Sequence, residues 1–237
     1  MKKYLREIAI TLSRFGFPSV KMMERFLSLL IMSRDFRQIF NTKKYTTRDS
    51  MWLDGIEQFS KKSIVYIEFG VWEGDSIKRI TNHVSDKNSR FFGFDSFKGL
   101  PESWDTMTGV KSMGTFSTSG NLPILNDDRV TFVKGWFQNT VPKFISQLKF
   151  KDNESLVVHY DADIYSSTLF CLMQIDLLKV PYLAIFDEFP GHETRALYNY
   201  MQATGAKVKF IGRRVVANAR YPQQVMALIS PVENFEI

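Results

Sequence analysis

The feature that most constrains this chain is a series of short apolar runs, four of them closed by an acid. Ile64-Val65-Tyr66-Ile67 ends at Glu68 and Phe91-Phe92-Gly93-Phe94 at Asp95. Leu156-Val157-Val158-His159-Tyr160 ends at Asp161, and Tyr182-Leu183-Ala184-Ile185-Phe186 at Asp187-Glu188. Runs of this length, rich in β-branched and aromatic residues, predict strands buried on both faces. Val130-Thr131-Phe132-Val133 predicts another strand, and 207–211 and 224–229 a closing hairpin. Helical stretches at 51–59, 76–84, 140–149, 166–178 and 192–203 lie between them. Strands alternating with helices predict an α/β fold around a mainly parallel sheet with right-handed crossovers. Ligands of such sheets sit beyond the carboxyl ends of the strands, where the acids gather.

Each tip suggests its own chemistry. Glu68-Phe69-Gly70-Val71-Trp72-Glu73-Gly74-Asp75-Ser76 joins strand to helix. Its two glycines allow a close backbone approach, and the helix that follows offers free N–H groups. The turn lacks the G-x-G-x-x-G of a nicotinamide or flavin site and the G-K-[ST] of a P-loop. No G-x-S-x-G occurs, which disfavours a serine α/β-hydrolase. An acid at the end of the second strand, here Asp95, accepts ribose hydroxyls in folds that bind adenosine. Asp161, Asp163, Asp187 and Glu188 converging at neighbouring tips would repel one another unless protons or a cation neutralised them. Oxygen-only ligands favour Mg²⁺ or a similar divalent cation over zinc. Of the three histidines, His192 after Pro190-Gly191 is best placed to meet a substrate and move a proton, whereas His159 lies inside a strand. Residues 98–128, rich in Gly, Ser, Thr and Pro around Trp104 and Phe116, form a loop long enough to be a lid.

Charge narrows the partners. Residues 1–44 hold ten Lys/Arg against three acids, a charge of +7, which leaves −1 on the rest of a chain whose net charge is +6. A body of that charge gives no electrostatic footprint for nucleic acid. The basic segment reads as a helical extension over 1–50 ahead of a main domain at 51–237. Two helices divide near Phe17-Pro18-Ser19, with Ser19 capping the second, and a polar connector spans 41–50. Its basic face leaves peripheral contact with an anionic membrane open. The single cysteine, Cys171, excludes an internal disulfide and suits a reducing compartment. Met1-Lys2-Lys3 resembles a basic leader, but Arg6, Glu7 and Arg14 interrupt any apolar core, so the expected location is the cytoplasm.

The run Tyr66 to Ser76 resembles the cofactor motif of the macrocin O-methyltransferase (TylF/MycF-like) family. So do Phe94-Asp95-Ser96-Phe97-Lys98-Gly99-Leu100-Pro101-Glu102, Lys134-Gly135-Trp136-Phe137-Gln138-Asn139-Thr140 and Asp161-Ala162-Asp163-Ile164-Tyr165-Ser166-Ser167-Thr168, in the family's order. The resemblance implies a Rossmann-like class I methyltransferase fold, a seven-stranded, mostly parallel sheet with an antiparallel last strand. It implies S-adenosylmethionine held by Glu68, Gly70, Val71, Trp72, Gly74 and Ser76 at the methionine end. Asp95 and Ser96 would lie at the ribose and Gly135, Trp136, Phe137 and Gln138 at the adenine, with Asp161 close by. Asp161, Asp187 and Glu188 match the family's metal acids, although the family has two aspartates where this chain has Asp187-Glu188. Asp161 and His192 are then the catalytic candidates, and Asp163 and Tyr165 the substrate contacts.

The expected activity is methyl transfer from S-adenosylmethionine to a sugar hydroxyl of a glycan or glycosylated small molecule, assisted by Mg²⁺. A homodimer is the expected assembly. Two alternatives remain, an idle cofactor-binding scaffold and a nucleic-acid methyltransferase. The second is disfavoured by the acidic body and by the lack of an Asn/Asp-Pro-Pro-Tyr-like motif.

Overall fold

The structure, a computed structural model, describes residues 20–60, 62–106, 109–217 and 219–232. Its main sheet joins β1 (Lys43–Tyr45), β2 (Ser63–Phe69), β3 (Arg90–Asp95), β6 (Val130–Lys134), β7 (Glu154–Tyr160), β8 (Tyr182–Phe186), β9 (Lys207–Arg214) and β10 (Gln224–Ser230). The spatial order is β1-β9-β10-β8-β7-β2-β3-β6. The five central strands β8, β7, β2, β3 and β6 run parallel, and β10 is antiparallel to both neighbours. The predicted parallel sheet with an antiparallel last strand is therefore present.

The apolar runs divide between two layers with a period of two, as strands covered on both faces require. Val65, Ile67 and Phe69 of β2 enter a core with Val158 and Tyr160 of β7 and Ala184 and Phe186 of β8. Helices α4 (Phe137–Gln147), α5 (Tyr165–Asp176) and α6 (Thr194–Thr204) cover that face. Ile64 and Tyr66 point the other way, toward α2 (Arg48–Phe59) and α3 (Asp75–His83). Helix α2 buries Met51, Trp52, Gly55 and Ile56 and is capped by Thr47, whose hydroxyl accepts Ser50 N–H at 3.2 Å. Gly55 permits its close approach to the sheet, since a Cβ there would lie 2.5 Å from Met226 Sδ.

The N-terminal part differs from expectation in two ways. The stretch read as a polar connector over 41–50 contains an eighth strand, β1, paired in parallel with β9, and the start of α2. Lys43-Lys44-Tyr45 is too short and too polar to show a strand pattern. Only the register of Tyr45 against Arg214 turns its ring into the core. Helix α1 (Val20–Arg34) also packs into the main core through Ile31 and Met32, joined by Phe36 and Ile39 beyond it. The first predicted helix and the Ser19 cap lie outside the described residues. No described helix is long and apolar enough to cross a membrane.

Between β3 and β6 the chain folds over the strand tips. It carries a small ribbon, β4 (Trp104–Asp105) paired with β5 (Val110–Lys111), and a bridge from Lys98 to Ser117. Leu100 and Trp104 are buried there against Ile164, with Phe116 packed on them. Beneath this cover lies a cavity of about 500 Å³.

Candidate active site

The turn after β2 is shaped by what passes beneath it. Gly70 has φ +93°, and a Cβ there would sit 1.9 Å from the carbonyl oxygen of Asp161. Only glycine lets the turn cross the tip of β7 so closely. Gly74 caps α3 in the left-handed region, and Asp75 and Ser76, at the start of that helix, face the cavity. Between the glycines, Trp72 adopts φ +49° and Asp163 across the cavity φ +61°. Left-handed backbone at non-glycine residues costs energy and clusters at functional sites.

Asp95 holds this turn in place. Its Oδ2 accepts N–H bonds from Val71 at 2.8 Å and Trp72 at 2.9 Å, and its Oδ1 accepts Phe97 N–H at 2.7 Å. A carboxylate has about four acceptor sites, so three are engaged and about one stays available toward the cavity that Asp95 lines. Glu68 has a different place. It is fully buried behind the wall, where Oε1 accepts the Ser76 hydroxyl at 2.8 Å and Oε2 the Tyr66 hydroxyl at 2.6 Å.

Asp161, Asp163, Asp187 and Glu188 also line the cavity, together with Arg48. Burial pushes Asp161 well above the usual carboxylate range, and the Asp187 charge adds to it. Burial and the Glu188 and Asp187 charges raise Asp163 to about 8, and burial with Asp187 raises Glu188 to about 7. Asp187 moves the opposite way. Burial opposes its charged form, but the neighbouring His159 and Arg48 outweigh that and lower its pKa. Arg48 NH1 lies 3.4 Å from Asp187 Oδ2, and His159 Nε2 faces Asp187 Oδ1 at 3.7 Å, beyond hydrogen-bond length. His159 is itself fully buried, which lowers its pKa, yet Asp187 and Glu68 outweigh this and raise it to about 10, favouring the imidazolium form. Its Nδ1 contacts the Tyr66 hydroxyl at 2.8 Å and Glu68 Oε2 at 3.3 Å. Asp187 is thus pushed toward its charged form while Asp161, Asp163 and Glu188 are pushed toward their protonated forms.

The order of these pieces along the chain can be set against known proteins. The model of the macrocin-O-methyltransferase (TylF) family matches residues 54–205. The chain belongs to this family. Among curated proteins it is similar to the 8-demethyl-8-(2,3-dimethoxy-alpha-L-rhamnosyl)-tetracenomycin-C 4'-O-methyltransferase of Streptomyces olivaceus, at 29% identity. That match covers 43% of this chain and 43% of the relative, so less than half of either length. Among solved structures, an O-methyltransferase from Bacillus cereus in complex with SAH superposes with a TM-score of 0.50 at 12% identity. The superposition covers 94% of this chain and 97% of that one, and it shows the fold. The class I architecture of this TylF-family chain is thus supported by topology and by superposition.

Most of the residues singled out from sequence meet at one cavity. Gly70, Val71, Trp72, Ser76, Asp95 and Ser96, the segment Gly135 to Gln138, and Asp161, Asp163, Asp187 and Glu188 all line it. Glu68, Gly74, Tyr165 and His192 are not on its wall. Tyr165 turns outward, its hydroxyl accepting Asn199 Nδ2–H at 2.7 Å. His192 Nδ1 accepts the Tyr165 backbone N–H at 3.0 Å, and burial with the nearby Arg195 charge lowers its pKa. It borders a small recess beside Glu24, Arg25 and Asp105 instead. Two residues went unread in the sequence. Arg48 sits ahead of the recognisable motifs and reaches the acids only because α2 leans on the sheet. Glu193 is buried behind them, its Oε2 accepting Glu188 N–H at 3.1 Å.

For a metal, the test is mixed. The donors are all oxygen, and Asp187 Oδ1 is buried without a hydrogen-bond partner, as a ligand atom would be. Yet among the described residues no three acidic, histidine or cysteine side chains are grouped closely enough to hold an ion. The donor chemistry fits a hard cation; the spacing of Asp161, Asp187 and Glu188 does not yet enclose one.

Proposed function

We propose that this chain is an S-adenosylmethionine-dependent O-methyltransferase acting on a sugar hydroxyl of a glycosylated small molecule, with Mg²⁺ at the acid tips. One observation carries the reading. The cavity of about 500 Å³ is lined both by the glycine turn, Asp95 and Trp136 and by the acids Asp161, Asp163, Asp187 and Glu188, so the two sets share one space. Such a volume suits one cofactor and the reacting part of a second molecule. Family membership supports the reaction class. The name of the Streptomyces olivaceus relative, a methyltransferase acting at a rhamnosyl 4'-oxygen, supports a sugar acceptor.

The sulfonium of S-adenosylmethionine supplies an electrophilic methyl group, and transfer is an in-line displacement by the acceptor oxygen. The chain's own task is to aim that oxygen and exclude water. The remaining acceptor site on Asp95 takes a ribose hydroxyl, and the Gly135–Gln138 segment borders the adenine. Leu100, Trp104 and Phe116 of the lid close the cavity from above. Asp161, Asp187 and Glu188 would hold the cation, which when bound polarises the acceptor hydroxyl and favours its alkoxide. As the cation bound, Asp161 and Glu188 would lose their protons to solvent, since ligands bind deprotonated. His159 and Arg48 keep Asp187 ionised and oriented.

Calorimetric titration with S-adenosylmethionine, with and without MgCl₂, followed by turnover on rhamnosylated acceptors with and without a chelator, tests the reading. Cofactor binding and metal-dependent methylation are expected, with both features of turnover lost in Asp161→Ala. Absence of cofactor binding would overturn the whole reading. Full metal-dependent turnover by Asp161→Ala would overturn the metal assignment alone.

A further inference from the structure

Helix α1 carries an apolar stripe that the described fold leaves exposed. Met23, Phe26, Leu27 and Leu30 are each between 46% and 58% exposed. Their spacing of i, i+3, i+4 and i+7 places them along one side of the helix. The opposite side is already committed, with Ser28, Ile31 and Met32 buried against the body. The helix is therefore apolar on two sides, and the fold needs only one.

The surroundings of the stripe are basic. It runs on to Arg34, whose side chain is 83% exposed and lies 3.4 Å from Asp35 Oδ1, and Arg37 is exposed just beyond. The one acid within the helix, Glu24, is held by Arg195 at 3.0 Å, on α6. Over the described residues 20–44 the sequence has six Lys/Arg against two acids, a charge of +4. We propose that this face docks the protein on an anionic lipid surface, with the four apolar side chains entering the headgroup boundary and the arginines meeting lipid phosphates.

Charge decides between this occupant and a second copy of the chain. Pairing two copies through α1 would bring two strongly cationic segments within a Debye length of about 8 Å. An anionic leaflet instead attracts each nearby Lys or Arg by about 1 kcal/mol. Four half-exposed side chains on one helix also fall short of the roughly 600 Å² that each partner of a stable dimer covers. On a membrane the same stripe suffices, because an interfacial helix needs only a shallow apolar face with a cationic border.

Docking would also orient the cavity. Arg25 NH2 pairs with Asp105 Oδ1 at 3.3 Å, which ties α1 to ribbon strand β4. Trp104, the neighbouring residue in β4, lines the cavity. The ribbon therefore packs on the body side of α1, with the bound surface across the helix from it. The inference stands independently of methyl transfer.

The test is co-sedimentation of the full chain with phosphatidylcholine vesicles, with and without phosphatidylglycerol, at low and high salt. Binding is expected only with phosphatidylglycerol and is expected to weaken in salt. Phe26→Glu/Leu27→Glu should lower the bound fraction by about tenfold or more, while S-adenosylmethionine binding and far-UV circular dichroism stay unchanged. Arg34→Glu/Arg37→Glu leaves the buried side of α1 intact and should also lose binding, which keeps the test decisive if the apolar variant unfolds. Equal binding to both vesicle types, no binding to either, or retained binding by both folded variants would overturn the proposal. So would sedimentation equilibrium showing a wild-type dimer that Phe26→Glu/Leu27→Glu dissociates.

Discussion

Replacing Asp95 by asparagine separates two roles that a ribose-binding acid would otherwise conflate. The side chain keeps its shape but loses one acceptor oxygen and gains an NH₂. In the structure one oxygen serves Val71 and Trp72 and the other serves Phe97. The amide can satisfy only one side. The better arrangement keeps its oxygen on the two turn N–H groups and sets its NH₂ against Phe97 N–H, donor facing donor. Phe97 is fully buried, so water offers that group little relief. An unsatisfied buried donor costs about 1–3 kcal/mol. Taking about 2 kcal/mol, the unfolding midpoint of the cofactor-free protein falls by about 4–8 °C in a chain of this size. Loss of a charge-assisted bond to the ribose, about 1.5–3 kcal/mol, separately weakens S-adenosylmethionine binding by roughly ten- to hundredfold. Differential scanning fluorimetry without ligand and calorimetric titration with it read the two effects independently. A ligand-free midpoint within about 1 °C of wild type, alongside weakened binding, would refute the holding role and leave only the ribose contact.

Other substitutions test other parts of the structure. Gly70→Ala places a methyl group 1.9 Å from the Asp161 carbonyl oxygen at φ +93°; it should destabilise by about 4 kcal/mol or more and abolish cofactor binding, and wild-type thermal unfolding would contradict the crossing of the two tips. Trp104→Ala opens the lid, so the acceptor KM should rise about tenfold, equivalent to about 1.4 kcal/mol, while the cofactor Kd stays within about twofold. Glu154 is 1% exposed and takes Arg90 Nε at 3.0 Å and NH2 at 2.7 Å; Glu154→Gln should cost about 1–3 kcal/mol in urea unfolding at neutral pH. Burial opposes the Glu154 charge but the Arg90 bonds outweigh it and lower its pKa below 4.5. Its stabilisation is therefore complete above pH 4.5 and is lost as pH falls through the folded value, so the gap between wild type and variant should close in acid.

The strands were legible because their burial on two faces is written as unbroken apolar runs, and β2, β7 and β8 lie where those runs predict. Their terminal acids were legible for the same reason, since a charge ends such a run. Contacts set by tertiary register were not legible. Lys43-Lys44-Tyr45 becomes a strand only because β9 is there to pair with it. Arg48 reaches Asp187 across 139 residues of sequence. Tyr165 and His192 belong to segments at the site, yet helix phase and the Phe189–Glu193 turn carry their side chains elsewhere. Chain order therefore located the tips, while side-chain direction came from packing.

The acids left behind the wall explain why the tips act as one unit. Ser76 on α3 bonds Glu68, Glu68 lies 3.3 Å from His159, His159 lies 3.7 Å from Asp187, and Asp187 lies 3.4 Å from Arg48. This series crosses β2, β7 and β8 beneath the cavity, with the His159 ring between two carboxyl side chains and the Arg48 guanidinium at the end. Buried charges persist only when paired in this way. Removing His159 would take from Asp187 the buried neighbour that does most to lower its pKa. It would also break the contact that joins Tyr66 and Glu68 to β7. The end of β2 and the acids after β8 are thus linked through His159, a buried side chain that is not on the cavity wall.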